Sequence, residues 1–264
     1  MNGSYQAINN GQLGLAALLM SVNVGLSLLL RLGLARSQII ASGRMVLQLL
    51  LIGYVLEWLF AQNHPGLIAA IALAMTVIAG ISAVGRTKRK FIGIYWNSIL
   101  SILVAAALVS QISLLGIIQI RPWYDPQYLI PILGMILGNI LNGISLGMDR
   151  FIEGLVTQQS QIEMLLAHGA TRWEASHRQI QDAVRTGMIP ITNSMMVMGV
   201  VSLPGMMTGQ ILAGANPIDA VRYQIVIVFM IAAATALGTL LVVLLAFRQL
   251  LSPNHRLRLD RVPD

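Results

Sequence analysis

The chain has 264 residues, 56% of them apolar and only 10% charged, against about 25% charged in an average soluble domain. That deficit excludes a water-covered globule and points to lipid as the solvent for much of the surface. The absence of cysteine excludes disulfides, thiolate metal centres and cysteine nucleophiles. The net charge of +7, which would suggest nucleic acid in a soluble protein, reads here as a membrane-orientation signal, and no nucleic-acid partner is expected.

Seven apolar runs reach the roughly 20 residues that a bilayer crossing requires. The predicted fold is all-α: a polytopic membrane protein of about seven transmembrane helices with a cytoplasmic hairpin, forming one domain over residues 1–264. The first span covers 12–30. No Lys or Arg precedes it, so it does not read as a cleaved signal peptide. The second covers 39–60, with Arg31, Arg36 and Arg44 at its cytoplasmic side. Glu57 is the one acidic residue clearly inside a span. Such charges mark function, but Trp58 beside it also suits a residue at the interface. The third span covers 67–85, entered through Asn63, His64, Pro65 and Gly66 and left through Arg86, Lys88, Arg89 and Lys90. The fourth covers 91–117.

The fifth span covers 128–148. Pro131, Gly134, Gly138, Asn142, Ser145 and Asp149 fall within about 80° on a helical wheel. Small residues let helices approach and polar ones avoid lipid, so this face is either a packing seam or a pathway wall. Gly143, Ser145 and Gly147 match the pattern of a serine nucleophile. His64, His168, His177 and His255 all lie outside the spans, so no general base is in reach, Ser145 reads as a packing residue on the small face, and an intramembrane hydrolase ranks third among the functional readings.

Residues 149–187 are the one sizeable polar segment. Apolar residues at helical spacing run from Phe151 to Leu166, and Gly169 stops the helix. Thr171 and Glu174 write a capping box that starts a second helix. The pattern predicts a helical hairpin turning at 167–171. It suits a membrane-surface amphipathic pair, with its arginines near lipid phosphates, or a docking element for a cytoplasmic partner.

The sixth span covers 188–213 and is interrupted at Pro204 and Gly205. Carbonyls freed by proline must face protein or water rather than lipid, and transporters present such groups to cargo. Asn193, Pro204, Gly205, Met206, Met207, Thr208 and Gln210 are therefore candidate pathway residues, together with Asn142 and Glu57. Six of the fourteen methionines lie between Met188 and Met207. Thioethers suit soft metals, but methionine also fills gaps in mobile interfaces. The seventh span, 224–247, is apolar throughout, and its Val242 and Leu245 read as lipid-facing.

Fifteen Lys and Arg residues fall on one side of these spans and two on the other. The amino terminus is therefore expected outside and the carboxyl terminus in the cytoplasm, in a cell (inner) membrane.

The run from Glu163 through Gly169, Ala170, Thr171, Arg172 and Trp173 resembles the EAA loop of ABC importer permeases, although Met164 and Leu165 replace that motif's two alanines. The block from Asn193 to Gly214 is similar to the signature of the FetB-type permease family. Pro217, Ala220, Tyr223 and Gln224 extend it, and Arg44 to Gln48 with Gly53 and Tyr54 fit that family's second span. The resemblance implies an iron-exporting ABC permease in which Glu163, Gly169, Ala170, Thr171, Arg172 and Trp173 contact an ATPase subunit. Plant relatives are linked to aluminium tolerance, with sugar nucleotides as proposed cargo.

The Walker phosphate loop is absent, since no Gly-Lys pair occurs. The expected assembly is a permease homodimer with two separate ATPase subunits, surrounded by lipid, with no catalytic role and no cofactor in this chain. A secondary cation transporter is the competing class. It calls for several membrane carboxylates as relays, where only Glu57 and the border residue Asp149 are available.

Overall fold

The computed structural model describes residues 9–62 and 64–262; residues 1–8, Asn63 and residues 263–264 lie outside the described residues. The described residues form nine α-helices: α1 (Asn10–Leu29), α2 (Ala35–Gln62), α3 (Pro65–Arg86), α4 (Ile94–Gln111), α5 (Pro126–Thr157), α6 (Gln159–Ala167), α7 (Arg172–Val197), α8 (Gly205–Leu212) and α9 (Pro217–Leu250). Six of them, α1–α5 and α9, are long and apolar enough to cross a membrane. The expected seventh crossing, 188–213, is not one helix. Its first half is the end of α7, its second half is α8, and residues 198–204 between them are non-helical.

Local chemistry sets most helix ends. Asn9 caps α1 by accepting from the Gln12 N–H while the Gln12 side chain accepts from the Asn9 N–H. Asp125 and Asn216 cap α5 and α9, each followed by proline at the first helical position, where the missing N–H costs nothing. The fourth expected span ends in a π-helical turn over Ile112–Ile117. The amphipathic segment after the fifth span is the unbroken continuation of α5 to Thr157.

Helices α5, α7 and α9 form the core. At their crossing a Cβ on Gly187 would lie 2.6 Å from the Gly143 carbonyl oxygen and 2.6 Å from the Thr239 methyl. A Cβ on Gly147 would meet the same methyl at 2.8 Å. Such contacts let two backbones touch, the device small residues provide where packing rather than water drives helix association. The Ser98 hydroxyl donates to the Gly80 carbonyl between α4 and α3. Gly238 of α9 packs on Ile140 of α5.

These contacts correct one expectation and add a second small-residue face to α5. The glycines that bring α5 against α7 and α9 are Gly143, Gly147 and Gly154, whereas Pro131 is exposed and Gly134, Gly138, Asn142 and Asp149 are half-buried. Val242 is fully buried in the core rather than lipid-facing, and Leu245 is half-buried. An all-apolar helix looks alike on every side, so composition does not reveal which face meets protein.

The pairings also fix direction. Arg86 at the end of α3 meets Asn142, Gln158 after α5 meets Gln179 of α7, and Arg172 at the start of α7 meets Leu251 after α9. Three of the connections rich in Lys and Arg, those after α3, α5 and α9, thus share one end of the bundle. Helix α5 is about 48 Å long and α9 about 51 Å, each longer than a hydrocarbon core of about 30 Å. Helices α1 and α2 pack mainly on each other and expose long apolar side chains such as Leu18, Leu29 and Leu47. Leu59 of α2 is buried.

Gly187→Ala is expected to lower stability by about 1–3 kcal/mol, because the new methyl collides with backbone. Gly138→Ala, where a Cβ meets nothing within 4 Å, is expected to be neutral or to stabilise by about 0.5–1 kcal/mol. Thermal unfolding of the two variants in one detergent checks the contrast.

Candidate coupling hairpin and pathway

The hairpin is built by two local rules. Gly169 adopts φ +91°, open to glycine and strained for other residues. The Gly169 N–H donates to the Leu166 carbonyl and the Ala170 N–H to the Leu165 carbonyl, the paired bonds of a Schellman ending. Thr171 then starts α7: the Glu174 N–H donates to its hydroxyl, and the Thr171 N–H donates to the Glu174 carboxylate at 2.8 Å. That N–H first, and then the Thr171 hydroxyl, hold the Glu174 carboxyl below its usual range.

The residues of this turn point different ways. Glu163 is exposed and accepts from the Gln159 amide at 2.8 Å. Trp173 is exposed over part of its ring, while its other part packs edge-on against Phe247 with ring centroids 5.7 Å apart. Arg172 is turned inward: its guanidinium lies 5.3 Å from the Phe247 ring centroid and donates to the Leu251 carbonyl, and its backbone N–H donates to His255 Nδ1 at 2.9 Å. The segment after α9 folds back as a short hairpin pairing Leu251 with Leu257. With α6 it lines an open pocket of about 410 Å³ that mixes Gln159, Glu163, His255 and Asp260 with leucines. Phe247 was not singled out from the sequence and His255 was weighed only as a general base, and a contact across some eighty residues leaves no local signal.

At the other end of α7 lies the interruption. Gly199 takes φ +85° and its N–H donates to the Ser202 carbonyl, closing a tight loop. Pro204 caps α8, and the Thr208 N–H and hydroxyl both donate to its carbonyl. Gly205 is exposed, and Met206, Met207, Thr208 and Gln210 are half-buried. Met206 packs against the core while Met207 lines a cavity of about 570 Å³ between this loop, α7 and α9. Asn193 is exposed on α7.

A model of the uncharacterised protein family UPF0014 matches residues 10–251. The chain belongs to that family. It is 38% identical over 217 residues to the UPF0014 membrane protein slr1647 of Synechocystis, covering 82% of this chain and 84% of that one. Identity to the UPF0014 membrane protein YjkA of Bacillus subtilis is 35%, covering 93% and 97%. Identity to the probable iron export permease protein FetB of Escherichia coli is 33%, covering 95% of each chain. No solved structure matches.

This UPF0014 protein is thus a multi-pass membrane protein related to a named permease. Its other candidate residues are scattered. Asn142 accepts from the Arg86 guanidinium at 2.6 Å, and Asp149 accepts from the Lys88 N–H at 2.7 Å, both at the basic end. Glu57 is exposed on α2. Ser145 is buried in α5, and the glycines flanking it serve helix contact. Among the described residues no three His, Asp or Glu side chains are grouped to hold a metal ion.

His255→Ala is expected to speed amide exchange at Arg172 about fivefold, the loss of one hydrogen bond worth about 1 kcal/mol. Because Glu174 is held below its usual range, its cap is complete above the ordinary glutamate range and is lost as pH falls through the lowered value. Glu174→Gln should abolish that acid-side rise in exchange at Thr171. Exchange mass spectrometry across pH checks both.

Proposed function

We propose that this chain is the permease subunit of an ABC transporter that exports metal ions, iron among them, using a separate ATPase subunit. The observation that carries the reading is the placement of α7. It begins in the turn that resembles a coupling loop and ends at the interrupted segment, so one helix of about 39 Å joins a docking site to a candidate pathway. The name of the FetB relative and its near full-length similarity support the same reading.

In this account the amino terminus faces outward and the 149–187 hairpin faces the cytoplasm of a cell (inner) membrane, following the basic surplus. ATP-driven closure of two ATPase subunits pushes on Glu163, Gly169, Ala170, Thr171 and the exposed edge of Trp173. Arg172 does not face the ATPase; it passes the push to α9 through Phe247 and Leu251. The half-buried α5 face at Gly134, Gly138 and Asn142, with the open α1–α2 pair, leaves room for a second permease copy.

Glu163→Lys and Gly169→Leu are expected to cut transport at least tenfold while the chain stays in the membrane. The first reverses the charge at the docking surface. The second forces a side chain into the left-handed region at a cost of about 1 kcal/mol or more. Metal uptake by inside-out vesicles containing the ATPase is the readout. Normal uptake and normal co-purification of the ATPase with both variants would remove the coupling role.

A further inference from the structure

The side-chain oxygen of Gln224 in α9 is buried without a hydrogen-bond partner. Buried polar atoms are nearly always paired, and an orphaned one calls for an explanation such as an ion. Gln224 is 8% exposed, so more than nine-tenths buried, and it lines the cavity of about 570 Å³ beside Pro204. Three methionines, Met195, Met198 and Met207, line the same cavity, one from α7, one from the loop and one from α8. The rest of the lining is apolar or backbone, and none of it is acidic, basic or imidazole.

Donor chemistry decides the class of guest. Carboxylate and imidazole suit iron and zinc, whereas thioether sulfur suits soft ions such as Cu(I). Charge decides in the same direction. Desolvation cost rises with the square of the charge, so a dication pays about four times what a monocation pays in a wall without countercharge.

We propose that this cavity is a binding site for a soft monovalent metal cation, cuprous or silver ion, held by the thioethers of Met195, Met198 and Met207 and by the Gln224 carboxamide oxygen. The proposal rests on the reading of this segment as the transport pathway and adds a soft monovalent ion to the metals that pathway would carry. The methionines sit on three successive segments around a loop that can open. A thioether is a neutral ligand that binds soft ions without locking them in place, which suits a site that must release its guest.

The test is equilibrium binding of Ag(I) to the purified full-length chain in detergent, without ATPase. The absence of cysteine removes the usual thiol background. The wild type is expected to bind one more Ag(I) per chain than the variant Met195→Leu/Met198→Leu/Met207→Leu, which conserves side-chain volume. Gln224→Leu should weaken that site about tenfold, the loss of one ligand. A control with Met20→Leu and Met45→Leu should bind as the wild type does, and excess Fe(II) should not displace Ag(I). X-ray absorption on the wild-type complex should show a sulfur shell, a readout that does not depend on how well the triple variant folds. Equal Ag(I) binding by the triple variant, or a shell of nitrogen and oxygen only, overturns the site. Ag(I) binding that depends on the methionines, in a chain whose vesicles transport nothing with ATPase present, would leave the site standing and sink the export reading. Iron export with no Ag(I) binding would do the reverse.

Discussion

The backbone contact between Gly143 and Gly187 is the constraint on which the rest of the structure depends. Only two glycines in register let α5 and α7 come close enough for Thr239 of α9 to reach both. Any side chain there would push α7 outward and separate the three helices that bury Ile140, Ile144, Ala183 and Val242. In lipid there is little hydrophobic gain from holding apolar helices together, so the dispersion energy of such close approach carries much of the association.

That contact sits near the middle of α7 and makes it a lever. On one side the helix runs back to its cap at Thr171 and to Arg172, which is bound to Phe247, Leu251 and His255. From there the linkage continues inward: the Gln249 side chain donates to Asn97 of α4 and packs over Gly93. On the other side of the pivot Pro190 lies inside the helix, where a missing N–H permits a bend. A few turns later the helix stops at Val197. A displacement at the hairpin therefore has a continuous helical route to the interrupted segment, capped at Thr171 and able to bend at Pro190.

Much of this was legible in the sequence because it follows local rules. Long apolar runs give helices, Gly169 and Thr171 give the turn between α6 and α7, and Pro204 gives the start of α8. What was not legible depends on partners distant in sequence. Proline accounts for one lost hydrogen bond, but the break opens earlier, at Met198, because Gly199 turns left-handed to meet Ser202. Helix α5 carries two stripes of small residues, and only the presence of α7 and α9 selects Gly143, Gly147 and Gly154 over Gly134 and Gly138. Val242 sits in a helix with no polar side, so its burial was invisible. Arg172 looked like an outward contact because nothing near it in sequence announces the tail that folds over it.

The account stands on motion at the hairpin reaching the interruption through α7. The most direct measurement places single cysteines at Thr208 and Gln210 of the otherwise cysteine-free chain and follows their labelling by a small water-soluble thiol reagent. Labelling is compared with the proposed ATPase partner empty and with ATP trapped on it, using Leu240, which is partly exposed on α9, as the lipid-facing reference. Reactivity that differs between the two nucleotide states at Thr208 and Gln210, and stays absent at Leu240, is the result this structure predicts. Thr208 and Gln210 as inert as Leu240 in both states would contradict it and leave the break in α7 a matter of packing alone.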